Sequence, residues 1–160
     1  MYLTSTQEDY VELVYRMIVD QSDGVRVSDL AEQLGCRMPT VTRTVQYLTE
    51  HGYMEHPHRK LITLTEKGVT VAKEIVHRHD DVVDFMHVVL GVPLDEAERD
   101  ACVLEHGFSR LGAERLHRFL VYVDQLPLAE RRKLQAFVQN DEWTDSYYCL
   151  KRSSESGARY

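Results

Sequence analysis

The chain has 160 residues, of which 43% are hydrophobic and 28% charged, with a formal net charge of −7 and three cysteines. This composition supports a packed core, and no apolar run approaches the roughly 20 residues of a membrane-spanning helix, so we expect no membrane association. The cysteines are odd in number and widely spaced, which argues against a disulfide framework. The polar first residues argue against a signal peptide. We therefore expect a cytoplasmic protein.

The charge is distributed unevenly along the chain. Residues 25–67 hold six Lys or Arg against five Asp or Glu, so the remainder carries all of the net negative charge. Local charge decides contacts with nucleic acid more than the total does, so the negative total does not exclude DNA. A net negative charge in the rest of the chain is also typical of a protein whose metal site contains carboxylates without a bound cation.

The first part of the chain predicts a winged helix. Residues 6–20 have apolar side chains at helical spacing, with Thr6 as the predicted N-cap. Two short helical segments then flank a tight turn: "VRVSDLAEQLG", with Ser28 as its N-cap, and "CRMPTVTRTVQYLTEHG". The alternating segment "YMEHPHRKLITLT" predicts a β-hairpin. A helix-turn-helix followed by a hairpin is a winged helix-turn-helix.

The rest of the chain predicts helices only. A long helix is expected over about residues 65–90, a second over 94–109, where Cys102, Glu105 and His106 lie, and two more over 110–126 and 128–140. The fold class is therefore mainly α. We expect a winged helix-turn-helix DNA-binding domain over 1–64, a helical domain over 65–140 and a polar tail over 141–160.

The exposed face of the second short helix carries side chains suited to DNA. Arg can pair with guanine and Gln with adenine in the major groove, and Thr can contact phosphate or a thymine methyl. The candidates on or beside this helix are Arg37, Pro39, Thr40, Thr42, Arg43 and Gln46. Arg59 and Lys60 in the hairpin loop suit phosphate. A solvated helix face is the alternative.

Several potential metal ligands share helical spacings. In "CVLEHGFSR", Cys102, Glu105 and His106 lie at i, i+3 and i+4 and would share one face of a helix. Asp9 and Glu12 have the same i, i+3 relation. Each group alone has an ordinary structural explanation, but oxygen, nitrogen and sulfur ligands from several helices together would form a metal site. An enzyme alternative is a zinc-dependent hydrolase, because "CVLEH" differs from the H-x-x-E-H pattern at one position.

The blocks "TQEDYVELVY", "VHRHDDVVDF" and "RDACVLEHGFS", in this order around the predicted winged helix, resemble a known family. It is the family of metal-dependent repressors that includes the diphtheria toxin repressor and the manganese transport regulator. The resemblance covers about residues 6–126 and implies a non-enzymatic, homodimeric repressor of metal homeostasis genes, which binds a palindromic double-stranded DNA operator when loaded with Fe²⁺ or Mn²⁺. It implies metal binding and dimerisation by the C-terminal helices, in the short form without the C-terminal SH3-like domain.

The resemblance also implies which residues bind metal. The matching positions are Asp9, Glu12, His79, Cys102, Glu105 and His106. Asp9 is typical of the manganese branch and Cys102 of the iron branch, so the site is a hybrid. The ancillary site of the iron branch matches Val83, which cannot bind metal, and Glu98, which lies one turn before Cys102 and is a further oxygen ligand candidate.

The ligand types bear on the metal. Carboxylates suit Mn²⁺, whereas a thiolate suits Fe²⁺, Co²⁺ or Zn²⁺. The carboxylates outnumber the single sulfur, which favours Mn²⁺ over Fe²⁺ by a narrow margin, with Zn²⁺ or Co²⁺ expected to bind in vitro. A metal-independent winged-helix regulator is the alternative if none of these residues binds metal.

Overall fold

The computed structural model describes residues 3–21, 23–57 and 61–139 and is mainly helical, as predicted. Its α-helices are α1 (Ser5–Gln21), α2 (Val27–Gln33), α3 (Met38–Glu50), α4 (Glu66–Asp84), α5 (Leu94–Leu104), α6 (Arg110–Gln125) and α7 (Leu128–Val138). The two strands are β1 (Met54–Glu55) and β2 (Thr63–Leu64). A π-helical turn (Phe85–Val89) follows α4, and a 3₁₀ turn (Glu105–Gly107) follows α5.

The predicted winged helix is confirmed. Between α2 and α3, and again after α3, the chain turns through Gly35 and Gly52 at φ +60° and +73°, a left-handed conformation that glycine adopts without strain. Strands β1 and β2 pair antiparallel, with Met54 opposite Leu64. An isolated bridge joins Val25 to Ile62 and so ties the segment before α2 to the wing.

The hydrophobic core of this part joins α1 to α3. Tyr10, Val11 and Val14 of α1 are at most 2% exposed. They belong to one cluster with the buried stripe of α3, which consists of Val41, Val45 and Leu48. Burial of several such side chains, each contributing roughly 1.5–3 kcal/mol, fixes the position of α1 relative to α3.

The chain forms two compact units. The first comprises residues 1–80 together with Glu105–Gly107, and the second comprises residues 81–104 and 108–160. In the second unit, Gln135 Nε2 donates to the carbonyl of Val88 in the π-helical turn at 2.8 Å, and Ser109 caps α6 by accepting from Gly112 N. None of the described helices is both long and apolar enough to cross a bilayer.

Three local predictions were wrong. Thr4, not Thr6, caps α1, because Thr4 Oγ1 accepts from Gln7 N at 3.3 Å and Gln7 Oε1 accepts from Thr4 N at 3.0 Å. Ser28 lies inside α2 and donates to Asp29 Oδ1 instead of capping the helix. The helix predicted over 94–109 ends at Leu104, and its next residues form the 3₁₀ turn. The wing residues Arg59 and Lys60 and the predicted tail over 141–160 lie outside the described residues.

Candidate metal centre and DNA-binding surface

Among the described residues, Glu105 is the one buried charged side chain, with 2% of its surface exposed. The 3₁₀ turn after α5 places it in the first unit, beside α1 and α4 residues. His79 Nδ1 on α4 donates to Glu105 Oε2 at 2.7 Å, and His106 Nε2 lies 3.2 Å from Glu105 Oε1. A buried carboxylate costs several kcal/mol unless cationic partners lie close, so these contacts explain why it is tolerated.

Helix α1 adds two carboxylates, spaced by one turn, to this cluster. Asp9 Oδ1 lies 2.8 Å from His106 Nε2, and the Glu12 side chain is 13% exposed. Two groups of ligand atoms result, each with all its atoms within 4.8 Å of one another. One group is Asp9, Glu105 and His106, and the other is Glu12, His79 and Glu105. Glu105 is common to both groups.

The surroundings of His106 Nε2 fit a metal ligand. This atom is buried, and no described residue forms a hydrogen bond with it, although the oxygens of Asp9 and Glu105 lie 2.8 and 3.2 Å away. Neither contact has the angle of an N–H···O hydrogen bond. Two ligands bonded at about 2.1 Å and at right angles to one ion would lie about 3 Å apart. The residues present therefore fit a divalent cation.

The pKa values of the two histidines are both raised. The hydrogen bond to Glu105, with that residue's charge, outweighs burial and raises the pKa of His79 above its ordinary value. For His106, burial is the largest influence and opposes protonation, but the hydrogen bond to Glu8 and the charges of Glu105, Asp9 and Glu8 outweigh it and raise the pKa. In each case the proton partly neutralises the clustered carboxylates, which is the role that a bound cation would also have.

Three further charged residues of the centre were not predicted from the sequence. Glu8 Oε2 accepts from His106 Nδ1 at 2.9 Å and from Arg78 Nη2 at 3.0 Å. Arg16 donates to Glu12 Oε1. The i, i+4 spacing of Glu12 and Arg16 is a signal in the sequence for their ion pair. Nothing local distinguishes Glu8 from a solvated acidic residue.

Glu98 and Cys102 belong to the second unit, on α5. Both are exposed, and neither is a member of the two groups of ligand atoms. The predicted convergence of Cys102 with Glu105 and His106 assumed one continuous helix. The structure instead brings Glu105 and His106 together with Asp9, and the sulfur ligand remains a prediction.

The face of α3 opposite the core is open to solvent. All six candidates on or beside this helix are exposed: Arg37, Pro39, Thr40, Thr42, Arg43 and Gln46. Gln46 Nε2 donates to Glu50 Oε1 at 2.9 Å, and the Thr42 hydroxyl donates to the carbonyl of Met38 at 2.9 Å. The Arg43 side chain is exposed on the same face, which suits a residue that contacts base edges.

This architecture is that of a winged-helix DNA-binding protein with an added helical domain. The family model of the N-terminal DNA-binding domain of iron-dependent repressors matches residues 2–62. The model of the metal-binding and dimerisation domain of the same family matches residues 65–131. The chain therefore belongs to the iron-dependent repressor family of transcriptional regulators, as the sequence motifs predicted.

Individual relatives agree with this assignment. The chain is 33% identical over 118 residues, 74% of its length and 94% of the relative's, to the uncharacterized HTH-type transcriptional regulator MJ0568 of Methanocaldococcus jannaschii. It resembles a manganese-dependent transcriptional repressor solved in complex with manganese (TM-score 0.67, 29% identity, 72% of this chain and 53% of that one). It also resembles the manganese regulator SloR (TM-score 0.64, 27% identity, 76% and 55%). The chain spans about half the length of these two structures.

Proposed function

We propose that the protein is a DNA-binding transcriptional repressor that is activated by Mn²⁺ or Fe²⁺ and controls genes of metal homeostasis. Membership of the iron-dependent repressor family supports the general class. The observation that carries the metal dependence is the buried, hydrogen-bond-free Nε2 of His106 between carboxylate oxygens of Asp9 and Glu105.

Five side chains of the first unit would hold the metal: Asp9, Glu12, His79, Glu105 and His106. A bound divalent cation would supply positive charge where these carboxylates meet. The arrangement has two ligand groups with Glu105 in common, so Glu105 would help to hold a cation in either group. Glu98 and Cys102 remain ligand candidates on the strength of the sequence resemblance.

The described ligand atoms favour Mn²⁺ over Fe²⁺. The two groups contain three carboxylates and two imidazoles and no sulfur. Oxygen-rich sites suit Mn²⁺, whereas a thiolate would favour softer metals. Zn²⁺ and Co²⁺ are expected to bind in vitro because affinity rises along the series from Mn²⁺ to Cu²⁺, so their binding would not identify the physiological metal.

Helix α1 connects the metal ligands to the DNA-binding surface. Asp9 and Glu12 lie on the same helix as the buried residues Tyr10, Val11 and Val14, which pack in one cluster with α3. Coordination of a cation by Asp9 or Glu12 together with Glu105 would restrict the position of α1. Through the shared core it would also restrict the position of the proposed recognition helix, α3. Metal and DNA affinities would then be reciprocally coupled, typically by about 1–3 kcal/mol.

The chain is proposed to act as a homodimer on a palindromic operator. Large apolar side chains on α6 and α7 are exposed, including Leu111, Tyr122 and Leu128 at 61, 61 and 62%. Two-fold symmetry would place two recognition helices about 34 Å apart on successive major-groove turns. Light scattering should give a dimer mass for the native chain and a monomer mass for Tyr122→Glu. If both proteins have the mass of a dimer, the exposed face that contains Tyr122 is not the dimer interface.

Metal dependence is tested by titrating a labelled operator with the protein while following fluorescence anisotropy. Mn²⁺, anaerobic Fe²⁺ and a chelator are compared in parallel. We expect tight binding with metal and weak binding with chelator. Equal affinity in both conditions would contradict the proposal and would favour a metal-independent winged-helix regulator.

The choice of metal is tested with Asp9→Met. Replacing the carboxylate with a thioether removes a hard ligand, so activation should shift away from Mn²⁺ and towards Fe²⁺ or Co²⁺. Asp23→Met is the matched control, since Asp23 is an exposed carboxylate of the same unit that is absent from both ligand groups. An unchanged Mn²⁺ response in Asp9→Met would show that Asp9 does not select the metal.

A further inference from the structure

One oxygen of Glu8 connects the candidate metal centre to an arginine on another helix. Glu8 Oε2 accepts hydrogen bonds from His106 Nδ1 at 2.9 Å and from Arg78 Nη2 at 3.0 Å. The three side chains are 20, 12 and 19% exposed, so the contacts are largely shielded from solvent. All three belong to the first unit. Glu8 itself belongs to neither group of ligand atoms.

These contacts fix which nitrogen of His106 carries the proton. An ionised carboxylate only accepts hydrogen bonds, so the proton in the contact with Glu8 resides on Nδ1. A neutral ring with Nδ1 protonated has its lone pair on Nε2. Nε2 is the buried atom that lies beside Asp9 and Glu105 and has no hydrogen-bond partner among the described residues.

The ion pair with Arg78 explains why Glu8 can accept the hydrogen bond from His106 Nδ1 as an ionised carboxylate. A guanidinium group remains protonated under all ordinary conditions, so the Glu8 carboxylate always has a cationic partner. The contact also restricts the rotamer of Glu8, which reaches across from α1 to α4. The acceptor for His106 Nδ1 is thus fixed in place before any metal arrives.

We infer that Glu8 is a positioning residue for the metal centre: anchored by Arg78, it holds His106 with Nδ1 protonated and presents Nε2 to the metal. Carboxylate partners of this kind orient a ligating histidine and increase its basicity, and their loss typically weakens metal binding 10- to 100-fold. The inference rests on the proposed function, because it assigns His106 as a ligand.

The first test measures Zn²⁺ affinity of the full chain by competition with a chelator. Glu8→Ala should weaken binding by about 10- to 100-fold. Glu8→Gln should weaken it less, because the amide oxygen still accepts from Nδ1 while the charge is lost. Asp20→Ala is the matched control: it removes an exposed carboxylate from the same helix and should change the affinity less than about twofold.

The second test reads the tautomer directly, which a purely structural role of Glu8 would not alter. In the Zn²⁺-loaded native protein, long-range ¹H–¹⁵N spectra of the His106 ring should show a protonated Nδ1 that exchanges slowly with solvent, and a metal-bound Nε2. Glu8→Gln should retain the protonated Nδ1 with faster exchange. Because Glu8→Gln preserves the shape of the side chain, it keeps the test decisive if Glu8→Ala does not fold.

The outcomes separate the inference from the proposed function. If Asp9→Ala and His106→Ala abolish Zn²⁺ binding but both Glu8 variants bind like Asp20→Ala, the metal centre stands and the positioning role is overturned. The same holds if the His106 ring of the native protein is bound through Nδ1. If Asp9→Ala and His106→Ala leave Zn²⁺ binding unchanged, the proposed metal function itself is overturned.

Discussion

Arg16 Nε donates to Oε1 of Glu12 at 2.8 Å, and Arg16 Nη2 lies 2.7 Å from the same oxygen. The same carboxylate belongs to the ligand group that contains His79 and Glu105. A candidate metal ligand is thus paired with a fixed cation one turn along its own helix. The Arg16 side chain is 44% exposed, so solvent screens this ion pair.

We predict that Arg16→Met increases metal affinity about two- to fivefold. The ion pair is exposed enough to contribute only about 0.2–1 kcal/mol, and its removal frees Glu12 for the metal. Chelator competition at low and high salt would measure the change, which should shrink as salt screens the charge. Arg110→Met, which breaks a comparable i, i+4 pair with Glu114, is the control. Weaker metal binding in Arg16→Met would mean that Arg16 supports the site.

Metal affinity should fall as the pH is lowered through the raised pKa values of His79 and His106. A metal must displace the protons that these rings hold, so binding should release protons at pH values near and below the raised pKa and should become independent of these rings above it. Calorimetry in buffers of different ionisation enthalpy counts the protons. His77→Gln, an exposed ring outside both groups, should leave the slope unchanged, and a flat profile in the native protein would contradict the prediction.

The same two histidines should make the metal-free protein more stable at low pH, where metal binding is weaker. Because their pKa values are raised on folding, they stabilise the metal-free fold below their unfolded pKa of about 6.5, and this stabilisation is lost as the pH rises through the folded values. Thermal unfolding of the native protein and of His106→Gln between pH 6 and 8 would isolate the contribution. A stabilisation by the histidines that increases with pH would contradict the prediction.

The cobalt spectrum tests the sulfur ligand that the sequence resemblance implies. If Cys102 binds metal through its thiolate, the Co²⁺-loaded protein should show a thiolate–cobalt charge-transfer band in the near ultraviolet that disappears in Cys102→Ser. Cys36→Ser, at another exposed cysteine, is the control and should retain the band. A spectrum that Cys102→Ser leaves unchanged would show that the sulfur is not a ligand.

Two basic residues should contribute differently to DNA binding. Arg43 is exposed on α3, so Arg43→Ala should cost about 1–3 kcal/mol and relax specificity at one base position. Lys60 follows β1 in the loop of the predicted hairpin, where the sequence indicates a phosphate contact. Lys60→Ala should weaken binding to all sequences and reduce the salt slope by about one. Identical effects of both substitutions across operator variants would refute this division of roles.

The winged helix was predictable because its signals are local. The buried stripe of α3 repeats at helical spacing, and Gly35 and Gly52 stop the two short helices where the chain needs a positive φ. The N-caps were less predictable. Thr4 and Thr6 offer the same hydroxyl two residues apart, and the side chain of Gln7, which bonds back to Thr4 N, decides between them.

The geometry of the candidate site was only partly predictable, because it depends on distant partners. Helical spacing grouped Glu105 with Cys102, but the chain leaves α-helical geometry at Glu105, whose carboxylate bonds His79 on another helix. Tertiary contacts override helix propensity there. Likewise, the role inferred for Glu8 depends on Arg78 and His106, which lie 70 and 98 positions further along the chain.

The discontinuity of the first unit has a consequence for the order of folding during synthesis. Every buried residue of the winged-helix core lies at or before Ile75, so this core can form as soon as the N-terminal part of the chain has emerged. Glu105 and His106 lie 30 and 31 positions after Ile75 and join the same unit only when this further stretch has been made. The nascent chain would thus form α3 before the candidate metal ligands Glu105 and His106 can join the unit, because closing the long loop to His106 is a late, entropically costly step.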